Sequence, residues 1–262
     1  MEWQEGELDA NGVRIHYYRR GVGRALVLAH GMTDNGKCWS RLATVLEDRF
    51  DIVAYDARYH GLSEAPAAGG FGGGEDLVAV VTALGLEKPA LLGHSMGAAT
   101  VAHAAGLRPE LFSCVILEDP PWRDDWSAIR QQPQTPAPDW RAFSIEQIVA
   151  AGRAQSPLWH PDEFPAWAES KRQFRGPADW RARAIPGIVD WRETVAAIGV
   201  PALLLRGGSS ERGAIVSAEI AAEAQRLNSR VQTACFAQAG HNVRREAFAP
   251  YVAAVSSFLA RY

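Results

Sequence analysis

The 262-residue chain predicts an α/β fold, one mostly parallel sheet covered by helices on both faces, and two observations carry that expectation. Strand-like apolar runs and helix-patterned stretches alternate from about Ala25 onward, as they do when each strand is followed by a crossover helix. With 47% hydrophobic residues, the chain is also long enough for one large domain with a full core, so a second independent domain is not required.

The elements follow in order. A hairpin comes first: its turn is Asn11-Gly12, a pair that accepts positive φ, and Val13, Ile15 and Tyr17 alternate on the returning strand. Parallel-type strands are expected at Ala25–Ala29, Asp51–Tyr55, Ala90–Leu92, Cys114–Leu117, Ala202–Leu205 and Val231–Phe236. The clearest helices are Asp76–Leu84, Met96–Leu107, Ser217–Leu227 and a C-terminal one ending near Tyr262. Gly69-Gly70-Phe71-Gly72-Gly73-Gly74 follows a loop and lacks the Gly-Lys-Ser/Thr ending of a phosphate loop, so it reads as a linker.

The stretch 120–190 breaks the alternation, being rich in Pro, Trp, Arg and Asp with only short helical patterns such as Ile145–Ala151. It is expected to be a cap inserted into a core formed by 1–119 and 191–262. Trp122, Trp126, Trp140, Trp159, Trp167, Trp180 and Trp191 fall in or beside it. Such rings either form the cap's own small core or wall an apolar substrate pocket between cap and sheet; Trp122 and Trp159, with Gly31, are the candidate substrate contacts.

Composition narrows the function classes. A net charge of −3 gives no electrostatic reason to expect nucleic acid or an anionic membrane. Arg19-Arg20 and Arg244-Arg245 are too short for basic arms and read as solvated faces. Cys38, Cys114 and Cys235 lack metal-ligand spacing, and an odd number argues against a disulfide framework, so reduced and mostly buried thiols are expected. The acidic start Met1-Glu2-Trp3-Gln4-Glu5 lacks a signal-peptide pattern and no apolar run approaches a membrane span, which predicts a soluble cytoplasmic protein. No His-Glu-x-x-His motif or carboxylate cluster occurs, so neither metal nor cofactor is expected, and the partner is a small-molecule substrate.

One motif carries chemistry. Gly93-His94-Ser95-Met96-Gly97, between the apolar run Ala90–Leu92 and a small-residue helix, reads as a nucleophile elbow, in which a serine on a sharp strand-to-helix turn is pushed above the sheet edge. There the helix N-terminus and the amide of Met96 stabilise negative charge on an attacked carbonyl. The blander reading is that the glycines end a strand and Ser95 caps a helix.

Three further motifs follow the same order along the chain as in a known family. His30-Gly31-Met32 resembles an oxyanion loop after the third strand. Asp56-Ala57-Arg58-Tyr59-His60-Gly61-Leu62-Ser63 resembles the loop after the next strand, with Tyr59 where a glycine is usual. Ala239-Gly240-His241-Asn242 resembles the loop that delivers a catalytic histidine. On these motifs the chain resembles the α/β-hydrolase family, in particular its cap-bearing serine esterases and lactonases.

The resemblance implies Ser95 as nucleophile, His241 as base and the amides of Met32 and Met96 as the oxyanion hole. It also implies cofactor-free acyl transfer on esters or lactones of apolar or aromatic substrates. Amide, carbamate and carbon-carbon bond hydrolysis use the same triad, and a non-catalytic receptor on the same scaffold is the rival from another class. The position where most relatives carry the acid holds Ser210, which cannot stabilise an imidazolium. Some cap-bearing relatives place a Glu at the end of the preceding core strand, which makes Glu118 the expected acid, with Glu211 and Asp119 as alternatives. His30 and His94 are read as scaffold residues bonding local backbone, His103 lies on the helix after the elbow, and His16, His60 and His160 show no partner spacing.

Overall fold

Eight strands form one sheet: β1 (Gln4–Ala10), β2 (Val13–Gly21), β3 (Arg24–Ala29), β4 (Phe50–Tyr55), β5 (Ala90–His94), β6 (Val115–Glu118), β7 (Ala202–Gly207) and β8 (Val231–Phe236). This computed structural model describes residues 1–67, 70–124, 138–176 and 190–262; Trp126, Trp180 and Gly69 lie outside the described residues. The strands lie in the order β1-β2-β4-β3-β5-β6-β7-β8. The β1-β2 hairpin turns at Asn11-Gly12, both at positive φ, and β2 joins the sheet antiparallel to β4. From β4 to β8 every pairing is parallel.

Parallel strands covered on both faces must divide their side chains between two cores, and these do so residue by residue. Val27, Leu91, Val115, Leu117 and Leu204 belong to one cluster, which packs against α2 (Gly74–Ala83), α3 (Met96–Leu107), α6 (Trp191–Ala197) and α7 (Ala218–Leu227). Leu28, Leu92, Ile116, Leu203 and Leu205 belong to the other, with α1 (Ser40–Leu46), α8 (Val243–Glu246) and α9 (Phe248–Leu259). α3 lies close to the sheet because its inward residues are small. A Cβ on Gly97 would sit 2.1 Å from the Ala29 carbonyl oxygen, and one on Gly93 would sit 2.2 Å from that of Gly97.

The strand order reverses at β3, which lies between β4 and β5. In such sheets the crevice beyond the carboxyl ends of the strands at that point is where ligands bind. Ala29 pairs with Gly93 and His94 with Glu118, so the loops after β3, β5 and β6 leave the same edge side by side.

The segment between β6 and α6 carries α4 (Ile145–Gln155) and α5 (Phe164–Gln173) among its described residues. Ser144 and Gln147 form a capping box that starts α4. Trp159 stacks on Phe164 at 5.7 Å and meets Trp167 edge-on at 6.0 Å, so these rings make the segment's own aromatic cluster. Trp122 differs from its expectation as a substrate contact. It is fully buried in the main core, stacked on Trp191 at 5.6 Å, and its role there is packing. A second expectation also fails: Arg244 and Arg245 are enclosed, not solvated. Cys38 and Cys114 are buried, Cys235 is exposed, and all three are free. Among the described residues no helix is long and apolar enough to cross a membrane, and no three His, Cys, Asp or Glu gather to hold a metal ion.

Candidate active site

The turn between β5 and α3 is strained at Ser95. Ser95 sits at φ +53°, ψ −117°, between the last residue of β5 and the first of α3, a conformation costly for any residue with a Cβ. Its N–H donates to the Glu118 carbonyl at 2.9 Å, which fixes the turn to the neighbouring strand. Met96 opens α3, so its N–H has no acceptor within the helix.

The loop after β3 is pressed against this turn. A Cβ on Gly31 would lie 2.7 Å from His94 Nδ1 and 3.4 Å from Ser95 Cβ, so only glycine allows the approach. Two buried histidines shape the loop from behind. His30 donates from Nδ1 to the Gly31 carbonyl at 2.8 Å and accepts the Ala57 N–H on Nε2 at 3.0 Å. His60 accepts the Thr33 N–H on Nε2 at 3.1 Å and donates from Nδ1 to the Arg58 carbonyl at 2.7 Å. Burial lowers both imidazoles below the usual histidine range, which keeps each a neutral ring with one donor and one acceptor. Tyr59, the departure from the family motif, takes φ +68°, the left-handed conformation that a glycine adopts without strain.

His241 lies after β8 with Nδ1 2.7 Å from Oδ2 of Asp119. The carboxylate that reaches the histidine is therefore Asp119, not the expected Glu118. Asp119 also accepts the Ile215 N–H at 2.9 Å and the Val216 N–H at 3.0 Å, and it is fully buried at φ +40°. The pleat explains the difference. Glu118 follows Cys114 and Ile116 onto the face of α9, where it accepts the Arg244 N–H at 2.8 Å and the Tyr251 hydroxyl at 3.0 Å. One residue further on, the side chain turns to the opposite face. Burial pushes the Glu118 carboxyl up, and no histidine shares it. Glu211 lies in an exposed turn, Ser210–Arg212.

A carboxylate on Nδ1 fixes the His241 tautomer with its proton there, leaving Nε2 as the acceptor. His94 supports the same residue from below, donating from Nε2 to the His241 carbonyl at 3.0 Å with the rings 4.7 Å apart. Burial, reinforced by His241, holds the His94 imidazole well below its usual range. Met32 is half-buried in the loop beside Gly31, and the Arg245 guanidinium lies 4.3 Å over the Trp159 ring.

A group that the sequence did not signal lies next to these loops. Asp34 pairs with Lys171 of α5 at 2.8 Å and with Arg245 at 2.8 Å, and Arg245 also reaches Glu163 at 3.3 Å. Burial alone would raise the Asp34 carboxyl, but Arg245 and Lys171 outweigh it and hold it far below the carboxylate range. Asp34 and Arg245 lie just beyond the His30-Gly31-Met32 and Ala239–Asn242 motifs, three residues after Gly31 and four after His241. That placement was the one available signal.

An α/β sheet with a strained serine at a strand-to-helix turn, a glycine loop beside it and a carboxylate-oriented histidine defines the class. A family model described as alpha/beta hydrolase fold matches residues 24–243, and the chain belongs to that family. It is similar to the N-formylmaleamate deformylase of Pseudomonas putida, 31% identical over 263 residues, covering 97% of this chain and 96% of that one. It is 25% identical to the 2-(acetamidomethylene)succinate hydrolase of Mesorhizobium japonicum, covering 96% and 94%. A crystal structure of E-2-(acetamidomethylene)succinate hydrolase superposes with a TM-score of 0.81 at 22% identity, covering 99% of this chain and 100% of the other.

Proposed function

We propose that this protein is a serine hydrolase that cleaves the acyl–nitrogen bond of a small N-acylated carboxylic acid through an acyl-enzyme. The observation that carries the proposal is the 2.7 Å contact between His241 Nδ1 and Asp119 beside the strained Ser95. His241 Nε2 takes the Ser95 hydroxyl proton as Oγ attacks the carbonyl carbon, and the amides of Met32 and Met96 hold the resulting oxyanion. Collapse breaks the carbon–nitrogen bond as His241 returns the proton to the leaving nitrogen. A water then gives its proton to His241 and attacks the acyl-enzyme, releasing the acid and restoring Ser95. Asp119 stabilises the imidazolium formed at each stage. No resident cofactor enters this sequence.

Support for the bond class comes from the relatives, because the names of the deformylase and of the succinate hydrolase both describe N-acyl compounds. The ester and lactone reading uses the same groups with an easier leaving group. The test is steady-state hydrolysis of N-formylmaleamate, an N-acetyl enamide and p-nitrophenyl acetate by the wild type and Ser95→Ala. The expected result is a higher kcat/KM on the N-acyl compounds, with Ser95→Ala lowering kcat on the order of 10⁶-fold, the scale seen when a triad nucleophile is removed. Turnover confined to the ester would move the assignment to an esterase. Binding without turnover on any carbonyl compound would favour a receptor, and full activity in Ser95→Ala would sink the mechanism.

A further inference from the structure

The charged group around Asp34 is an expensive way to join loops. Asp34, Glu163, Lys171 and Arg245 are all buried, and well-packed apolar residues of similar volume commonly stabilise a protein as well as such buried pairs do. What ion pairs add is direction, because each donor must meet its acceptor in one geometry. Lys171 uses all three of its donors this way: Nζ lies 2.8 Å from Thr33 Oγ1, 3.0 Å from the Thr33 carbonyl and 2.8 Å from Asp34 Oδ1.

Its target is the peptide that follows Gly31-Met32. Thr33 stands at φ +65°, which a β-branched residue holds only under outside constraint. The His60 ring on its N–H and Lys171 on its carbonyl and hydroxyl supply that constraint. The preceding peptide is gripped on its carbonyl side, where Gly31 O accepts from His30 at 2.8 Å and from the Asp34 N–H at 3.1 Å, so the Met32 N–H points the opposite way. Asp34 is thus shared by the loop it belongs to, by Lys171 of the inserted segment and by Arg245 of the His241 loop.

We propose that Lys171 is a positioning residue for the oxyanion hole: docked from α5, it holds Thr33 and Asp34 so that the Met32 N–H meets the developing oxyanion. The assignment rests on the proposed hydrolase mechanism. It makes the hole complete only when the inserted segment is seated, and ties that seating to the histidine loop through Asp34 and Arg245.

The experiment compares the wild type, Lys171→Met, Thr33→Val and Ser95→Ala for kcat, KM, melting temperature and inhibition by phenylboronic acid, whose tetrahedral adduct places an oxygen in the hole. Lys171→Met should lower kcat about 10- to 100-fold with KM within about threefold, and should raise the boronate Ki by the same factor as kcat falls. Thr33→Val removes one of the three acceptors and should lower kcat about threefold to tenfold with the same parallel in Ki. A general loosening would move stability and KM without that parallel. A folded Lys171→Met with wild-type kcat and Ki, or a loss confined to KM, overturns the assignment. If Lys171→Met does not fold, Thr33→Val carries the same test, and wild-type kcat and Ki in that variant overturn the assignment equally. Full activity in Ser95→Ala would instead remove the mechanism on which the proposal stands, so the two failures are distinguishable.

Discussion

At the carboxyl edge of the sheet, two consecutive carboxylates sit on opposite faces and are put to opposite uses. Asp119 is buried beneath His241, where three directed donors meet it, and the His241 ring it orients is a quarter exposed. Glu118 faces α9, enclosed with the Tyr251 hydroxyl, the Arg244 N–H and an Arg244 guanidinium laid 4.0 Å over Trp39. The first group is held ready for a partner from solution, whereas the second is closed on itself and braces the helices behind the site. Residue type does not separate them. The pleat does, by turning each side chain into a different neighbourhood, and substitutions on the His241 side should therefore change rate while those on the α9 side change stability alone.

The largest expected effect is at Asp119. In Asp119→Asn the charge that would stabilise a His241 imidazolium is lost, and one amide oxygen cannot serve the Val216 N–H together with the Ile215 N–H and His241 Nδ1, which share Oδ2. The expected loss in kcat is about 10⁴-fold with KM little changed, and the melting temperature should fall because a buried backbone N–H loses its acceptor. The paired control is Glu118→Gln, which keeps an acceptor for the Arg244 N–H and should leave kcat within about threefold. Steady-state rates of the two variants side by side decide the matter: if Glu118→Gln is the inactive one, the assignment of faces is wrong.

The same contrast shows which parts of the site were legible in the chain. The elbow around Ser95, the His30-Gly31-Met32 loop and the His241 loop are each a few adjacent residues whose chemistry depends on local backbone shape, and the structure gathers all three at one sheet edge. The parallel strands were legible because continuous apolar runs suffice to mark them. Which of Glu118 and Asp119 reaches the histidine depends on the phase of the pleat and on a positive φ at Asp119, and neither is written in residue type. Trp122 looked like a pocket wall because its stacking partner, Trp191, comes from far along the chain. Arg244-Arg245 looked solvated because charged pairs usually are; Asp34 and Glu163, which pair with Arg245, and Cys38 and Trp39, which meet Arg244, are scattered over the sequence. Contiguous chemistry was readable, and chemistry assembled by long-range packing was not.

A second way to sharpen the comparison is acid. His60 and His94 are buried with imidazoles well below their usual range, and His30 is lowered as well, burial being the main cause in each. In the unfolded chain these rings take up protons near pH 6.5, while in the folded protein they do not. The unfolded state therefore binds more protons as pH falls, so stability is full above about pH 6.5 and is lost on acidification. Between pH 7.5 and 5.5 stability should therefore fall, with His60 and His94 contributing most and His30 adding to it. Denaturant titrations at the two pH values measure this directly. Equal stability at both would mean that these rings accept protons inside the fold, and that the loop behind Gly31 is more open than its hydrogen bonds indicate.

The smallest effect tests the buried face alone. Tyr251 donates to Glu118 Oε2 at 3.0 Å, and both groups are enclosed by the second core. In Tyr251→Phe the ring still fills its place, but the carboxylate oxygen loses its donor in a setting where burial already pushes its pKa up. A buried acceptor left without its partner costs about 2 kcal/mol, and the Glu118 carboxyl should become still harder to ionise. The substitution lies behind β6, away from the crevice, so kcat should stay within about twofold of the wild type while the denaturation midpoint falls. A variant as stable as the wild type but markedly slower would show that the two faces communicate through the β6 backbone. The Ser95 N–H bonded to the Glu118 carbonyl is the connection through which that effect would travel.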